Sequence, residues 1–313
     1  MKYFSMFSGI GGFELGIRQS EIKSEDSTNS KGGTSQLPRR SFCVGFSEVD
    51  KYAIQIYQQQ FKGHKAYGDC TRIDYSTVPD FEMLVGGFPC QAFSIAGKRR
   101  GFEDTRGTLF FEVARCLKEK QPRLCVLENV KGLLSHDQGA TFTTIISTLD
   151  ELGYDCQWQV LNSKNFGVPQ NRERVFIIGH LRGGSRPEVF PIGQSSAKAI
   201  IKIMNEGGNH AGGGVFDYDG VCPTLTSGGT GGATNNCAKI IVAGTLESGG
   251  GAMTKILKNS RIRRLTPTEC ERLQGFPDGW TEGISDTQRY KCLGNAVTVN
   301  VIEAIITELF KEK

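Results

Sequence analysis

Through its first half the chain alternates short apolar runs with amphipathic stretches, and this alternation restricts the fold more than any other feature. The runs at 3–7, 43–47, 65–68, 83–87 and 124–127 read as strands; the stretches at 12–19, 51–61, 108–119 and 140–152 read as helices. Strand and helix in strict alternation predict a doubly wound, mostly parallel α/β sheet. Such sheets take ligands at the carboxyl ends of their strands. The polar motifs of this half follow strands, so they are expected together at one edge. Further on, "LTPTECERLQGF" opens with Thr266 as an N-cap and Pro267 at the first helical position. The final "AVTVNVIEAIITELF" places Val297, Val301, Ile305 and Leu309 four residues apart, the pattern of a helix packed back on the first half.

Two stretches break the pattern. Residues 20–41 are polar and aperiodic and join a helix to the next strand. They read as a loop insertion at the edge away from the ligands. Between Gly183 and Arg263 lie seventeen of the 40 glycines, with short β-like runs in place of helical periodicity. The expected organisation is a discontinuous catalytic domain, 1–182 plus 263–313, interrupted by a glycine-rich loop and β domain at 183–262.

Ten cysteines without a Cys-x-x-Cys pair, beside only four histidines, argue against a zinc site or a disulfide framework and for a reducing cytoplasm. No metal is expected. No apolar run of membrane-spanning length and no cleavable leader is read from the sequence, so a cytoplasmic monomer with no membrane contact is expected. A net charge of +4 is compatible with a polyanionic partner without requiring one.

"FSGIGGFELG" is a strand, a glycine turn and a helix start. Gly9, Gly11 and Gly12 let a cofactor approach the backbone at the helix N-terminus. Glu48 ends the second strand, where an acid takes ribose hydroxyls, and the insertion accounts for its distance from the glycines. Asp69, with Cys70 beside it, suits an adenine. These groups fit an adenosine-containing cofactor and leave NAD and S-adenosylmethionine both open.

"GGFPCQAFSIAGKRRGFEDTRGT" sets Cys90 after Pro89, on a turn loosened by Gly86 and Gly87. A lone cysteine is ordinarily buried and inert. Here Gln91, Ser94, Lys98, Arg99, Arg100 and Arg106 follow on a glycine-punctuated loop suited to gripping phosphate. Glu128, in "RLCVLENV", is either a capping group or an active-site carboxylate; the strand it shares a border with, which leads to Cys90, favours the second. In "VPQNRERVFIIGHL", Arg172 and Arg174 turn to one face of a strand and Glu173 to the other. They read as surface cations or as holders of a carboxylate and a pyrimidine oxygen.

A thiol, a carboxylic acid, an arginine and an adenosine cofactor suit one-carbon transfer to a pyrimidine. Carbon 5 of cytosine is too electron-poor to attack a methyl donor. Addition of a thiolate at carbon 6, with protonation at N3, makes it nucleophilic. A base inside a duplex must be flipped out first.

The chain resembles the DNA (cytosine-5)-methyltransferases of bacterial restriction–modification systems. "FSGIGGFELG", "GFPCQAFSIAGKRRGFEDTRGTLFFEVAR", "ENVKGLLSHD", "NFGVPQNRERVFIIG", "RRLTPTECERLQGFPDGW" and "CLGNAVTVNVIEAI" carry the likeness, in the family's order. The resemblance implies a Rossmann-like S-adenosylmethionine-dependent domain and a smaller target-recognition domain across a cleft. It makes Cys90 the nucleophile, Glu128 the N3 proton donor and Arg174 the residue that orients cytosine, with Arg172 nearby. It puts Phe7, Gly9, Gly11, Glu48, Asp69, Pro89, Leu109 and Asn295 around S-adenosylmethionine, and Gln91 and Ser94 on the flipped nucleotide. "PTLTSGG" is similar to the family's Thr-Leu element, so Thr224 and Leu225 are expected to help place the recognition loops on double-stranded DNA. Val49 stands where many relatives carry an aromatic residue against the adenine, and Ala296 replaces a more usual serine. A cognate restriction endonuclease is the implied functional partner. Two rivals remain: the same chemistry on tRNA, whose family branch has a Cys-Phe-Thr element that is absent here, and a catalytically silent DNA-binding protein.

Overall fold

The computed structural model describes residues 1–29, 41–89, 109–184, 187–192 and 265–311, together with six short strands between 202 and 263. The first half builds β1 (Lys2–Met6), α1 (Gly12–Asn29), β2 (Phe42–Ser47), α2 (Lys51–Gln60), β3 (Met83–Gly87), α3 (Leu109–Lys120), β4 (Leu124–Val130) and α4 (Ala140–Glu151). Then follow β5 (Tyr154–Asn162), β6 (Gln170–Asn171) and β7 (Glu173–Leu181). Six of these strands form one sheet in the order β2-β1-β3-β4-β7-β5. The first four are mutually parallel, and β7 runs antiparallel to both of its neighbours.

The strands are apolar on both faces because both faces are covered. Phe4, Met6, Leu84, Cys125, Leu127 and Val175 pack under α3 and α4. The alternate positions Tyr3, Met83, Val85, Val126 and Phe176 pack under α1 and the last helix. That helix, α7 (Val299–Leu309), follows α5 (Pro267–Leu273) and α6 (Asp286–Asn295). It lies against α1 so closely that a Cβ on Gly16 would stand 2.6 Å from Ile302 Cβ. The expected cap on α5 is present, with Thr266 and Glu269 bonding reciprocally to each other's backbone N–H. By composition Asp286–Leu309 is apolar enough to cross a membrane, an exception to the sequence reading. It is two helices broken near 296–298, and most of it is buried.

Two expectations are corrected. The stretch 65–68 is not a full strand: Phe46 and Ala66 form an isolated bridge beside β2. Gly68, at φ +69°, turns the chain away from the sheet directly afterwards. The insertion expected from residue 20 begins as helix, because α1 continues to Asn29; Glu21 and Lys23 are good helix formers, and Lys23 is paired with Glu303 of α7.

Beyond Arg182 the chain stays with the core for some residues. Gln157 Oε1 accepts from Val189 N at 3.0 Å and Gln159 Oε1 from Ile192 N at 3.1 Å, and both apolar side chains are buried. The later strands are β8 (Lys202–Asn205), β9 (Gly214–Asp217), β10 (Cys222–Pro223), β11 (Lys239–Ile241), β12 (Ile256–Lys258) and β13 (Arg261–Arg263). Five form a second sheet, β13-β12-β11-β9-β8, while β10 pairs with β6.

Candidate active site

Strand order 2-1-3 makes β1 the point where the winding reverses, which opens a crevice at the carboxyl ends of β1 and β3. The turn after β1 holds Phe7 and Gly9 at φ +54° and Gly11 at +88°. Phe7 pays for that left-handed conformation in strain that glycine escapes. A Cβ built on Gly9 would meet nothing within 4 Å, whereas one on Gly11 would strike the Phe61 ring and one on Gly12 would strike Val297. The turn is thus packed on one side and open at Gly9.

Glu48 fastens it. Its Oε2 accepts from Gly9 N at 2.8 Å, and its Oε1 accepts from Val49 N at 2.8 Å and Asp50 N at 2.9 Å. A carboxylate has about four acceptor positions, so this still leaves room for a ligand hydroxyl. Val49 beside it is 68% exposed. Asp69 accepts from Thr71 N and Oγ1, both at 2.9 Å, and these bonds hold its carboxyl below the usual range. Burial pushes the Cys70 thiol up to about 12, so it is inert as a nucleophile. Arg115 of α3 ties this turn down by donating to the Cys70 and Ile73 carbonyls. An open glycine turn, a pinned carboxylate, an exposed apolar residue and a second carboxylate fit an adenosine-containing cofactor, S-adenosylmethionine among them.

One strand further on lies the acid. Gly87 of β3 is in register with Glu128 of β4, and a Cβ on Gly87 would come within 3.0 Å of Glu128 Oε2. The other oxygen, Oε1, lies 3.0 Å from Arg174 Nε; the two side chains are only 12% and 15% exposed. Arg174 reaches it because β7 is antiparallel to β4, which brings the start of β7 to the rim where β4 ends. Burial pushes the Glu128 carboxyl above the usual carboxylate range, against the pull of the Arg174 and Arg172 charges.

Arg172 precedes β7 and is 2% exposed. Its guanidinium donates to Gly294 O at 3.2 Å and Ala296 O at 2.8 Å. Neither arginine is the surface cation that the sequence also allows. Asn295, between those two carbonyls, is exposed. Pro89 is exposed at the end of β3, and Leu109 opens α3. Cys90, Gln91, Ser94, Lys98, Arg99, Arg106, Thr224 and Leu225 lie outside the described residues.

Three residues of this rim escape the sequence reading in their actual roles. Asn129 is buried, and its Nδ2 donates to Phe88 O at 2.9 Å, fixing the backbone that leads into Pro89. Gln274 donates to Leu293 O and accepts from Thr298 Oγ1, both at 2.8 Å. Thr298 Oγ1 lies 2.8 Å from Ser163 Oγ. The only advance signal was a polar residue in an apolar setting.

Residues 1–311 match the family model described as C-5 cytosine-specific DNA methylase. The chain is 39% identical to type II methyltransferase M1.ScrFI of Lactococcus lactis subsp. cremoris, over 99% of this chain and 78% of that one. It is 33% identical to type II methyltransferase M.HhaI of Haemophilus parahaemolyticus, over 97% and 93%. Among solved structures, the Entamoeba histolytica methyltransferase EhMeth superposes with a TM-score of 0.68 at 18% identity, covering 99% of this chain and 98% of that one. The Dnmt2 methyltransferase of S. pombe gives 0.66 at 19% identity, over 98% and 97%.

Proposed function

The chain belongs to the C-5 cytosine-specific DNA methylase family, and from that premise we propose that it methylates carbon 5 of a cytosine flipped out of a specific double-stranded DNA sequence. The observation that carries this reading is the state of Glu128: largely screened from solvent, with one oxygen on Arg174 and the other above Gly87, which stands three residues before Cys90 in the chain.

A carboxyl raised above its usual range keeps its proton more readily than a free one and can deliver it in a fixed direction. In the proposed reaction Cys90 adds as a thiolate to carbon 6, while N3 takes the proton from Glu128. Arg174 keeps the carboxyl aimed and neutralises the charge left on it. Gly9, Glu48 and Asp69 would hold S-adenosylmethionine, which would supply an electrophilic methyl group. Carbon 5 would take that methyl group as the methyl–sulfur bond breaks and S-adenosylhomocysteine leaves; loss of the carbon-5 proton to a base then restores the double bond, expels Cys90 as thiolate, and N3 returns its proton to Glu128. The basic residues Lys98, Arg99 and Arg106 close on the phosphates, Gln91 and Ser94 meet the displaced nucleotide, and Thr224 and Leu225 support the recognition segment at 183–262.

The relatives' designation as type II methyltransferases supports a place in a restriction–modification pair, acting on DNA in the cytoplasm. Incubation with S-adenosylmethionine and duplexes carrying 5-fluorocytosine blocks loss of the carbon-5 group, so the wild type should accumulate a covalent complex mapping to residue 90 and Cys90→Ala none. A wild type that methylates cytosine without such a complex, or that labels only tRNA in a parallel assay, rejects the proposal. Bisulfite sequencing of DNA from expressing cells reads the target sequence.

A further inference from the structure

Between 293 and 299 every residue is buried except Asn295. Helix α6 ends there, and Ala296 leaves it in an extended conformation (φ −65°, ψ 148°). A helix end of this kind exposes carbonyls that no longer have N–H partners within the helix. Two of them, Gly294 O and Ala296 O, are taken by one guanidinium, that of Arg172, which is more than 120 residues away in sequence. A cation also complements the negative pole of the helix. The same turn is gripped by Gln274 at Leu293 O. It abuts the glycine turn after β1, since a Cβ on Gly12 would lie 2.8 Å from Val297 Cγ1. The charge of Arg172 also acts on the Glu128 carboxyl, and Arg174 in turn repels Arg172.

We propose that Arg172 is a positioning residue for the methyl donor: its fork holds the carbonyls on either side of Asn295 and so presents the Asn295 side chain to S-adenosylmethionine, without touching cytosine. The inference rests on the reading of Asn295 as part of the donor pocket. The guanidinium offers its two terminal nitrogens in a fixed fork, one to each carbonyl, whereas a lysine ammonium, although it has three donors, lacks that preset geometry and replaces it poorly. Arg172 thus holds the turn after α6 while its charge acts on the acid of β4.

The test is a double-mutant cycle on equilibrium binding of S-adenosylhomocysteine, measured by calorimetry without DNA or turnover. Arg172→Lys and Asn295→Ala should each weaken binding about tenfold, and the double variant should be no weaker than the worse single one. Arg172→Gln, which is shorter and removes the charge at the helix end, should weaken binding at least as much as Arg172→Lys. In steady state the KM for the donor should rise while the KM for DNA holds. Independent losses that multiply to about a hundredfold, or unchanged binding in Arg172→Lys, overturn the proposal. So does global unfolding of both Arg172 variants, which would make the residue a general support. A wild type that binds no S-adenosylhomocysteine refutes the cofactor reading itself, a distinct outcome.

Discussion

Gly87 occupies its position because of the residue across the strand pair from it. Any side chain there would press on Glu128 Oε2 from 3.0 Å, closer than most Cβ contacts, and the carboxyl is tethered at its other oxygen to Arg174. Gly87→Ala should therefore retain its fold but lose methyl transfer at least tenfold, about the loss expected from misplacing a general acid. Turnover and thermal midpoint measured on the same preparation check this; wild-type turnover would mean the acid is not held as described. At this scale the sequence reveals residues that break an apolar run. Glu128 and Arg174 stand out at the ends of strands and are visible. The work of Asn129 and Arg172 is not, because the carbonyls they bind lie 41 residues off for one and 122 and 124 off for the other.

Helix propensity and packing give opposite answers at Gly16. In an isolated helix, alanine would stabilise by about 1 kcal/mol. In this structure α1 is packed on α7, and the added Cβ meets Ile302 Cβ at 2.6 Å and the backbone Val299 O at 3.0 Å. Gly16→Ala should thus destabilise, by about 1–3 kcal/mol, read as a lowered midpoint in denaturant; a raised midpoint would place the two helices further apart. Elements with strong periodicity or a capping signature, such as α7 and α5, are legible in the sequence. The chain at 65–68 is apolar enough for a strand but pairs only at Ala66, and the helix past residue 20 lacks an apolar stripe altogether. Its link to α7 through Lys23 and Glu303 is tertiary information.

The whole molecule carries a pH dependence unrelated to its chemistry. Glu14, in the first turn of α1, is buried and accepts from Tyr57 Oη at 3.0 Å, and burial raises its carboxyl to about 7. The folded state therefore keeps a proton that the unfolded chain releases at the ordinary carboxylate value. Stability is greatest below that ordinary value and falls as pH rises toward and through about 7. Glu14→Gln removes the titration, so its advantage over wild type should grow by about 2 kcal/mol between roughly pH 5 and 8. Thermal unfolding at both values checks it; parallel curves would mean that Glu14 is ionised in place. The sequence makes the parallel, doubly wound plan visible, but not the reversal of β7. That reversal has a consequence for biosynthesis. The acid and its cation come from strands of opposite direction, 46 positions apart, so no shorter emerging chain contains both. A growing polypeptide on the ribosome cannot close this ion pair until the start of its seventh strand has been made and has turned back along β4.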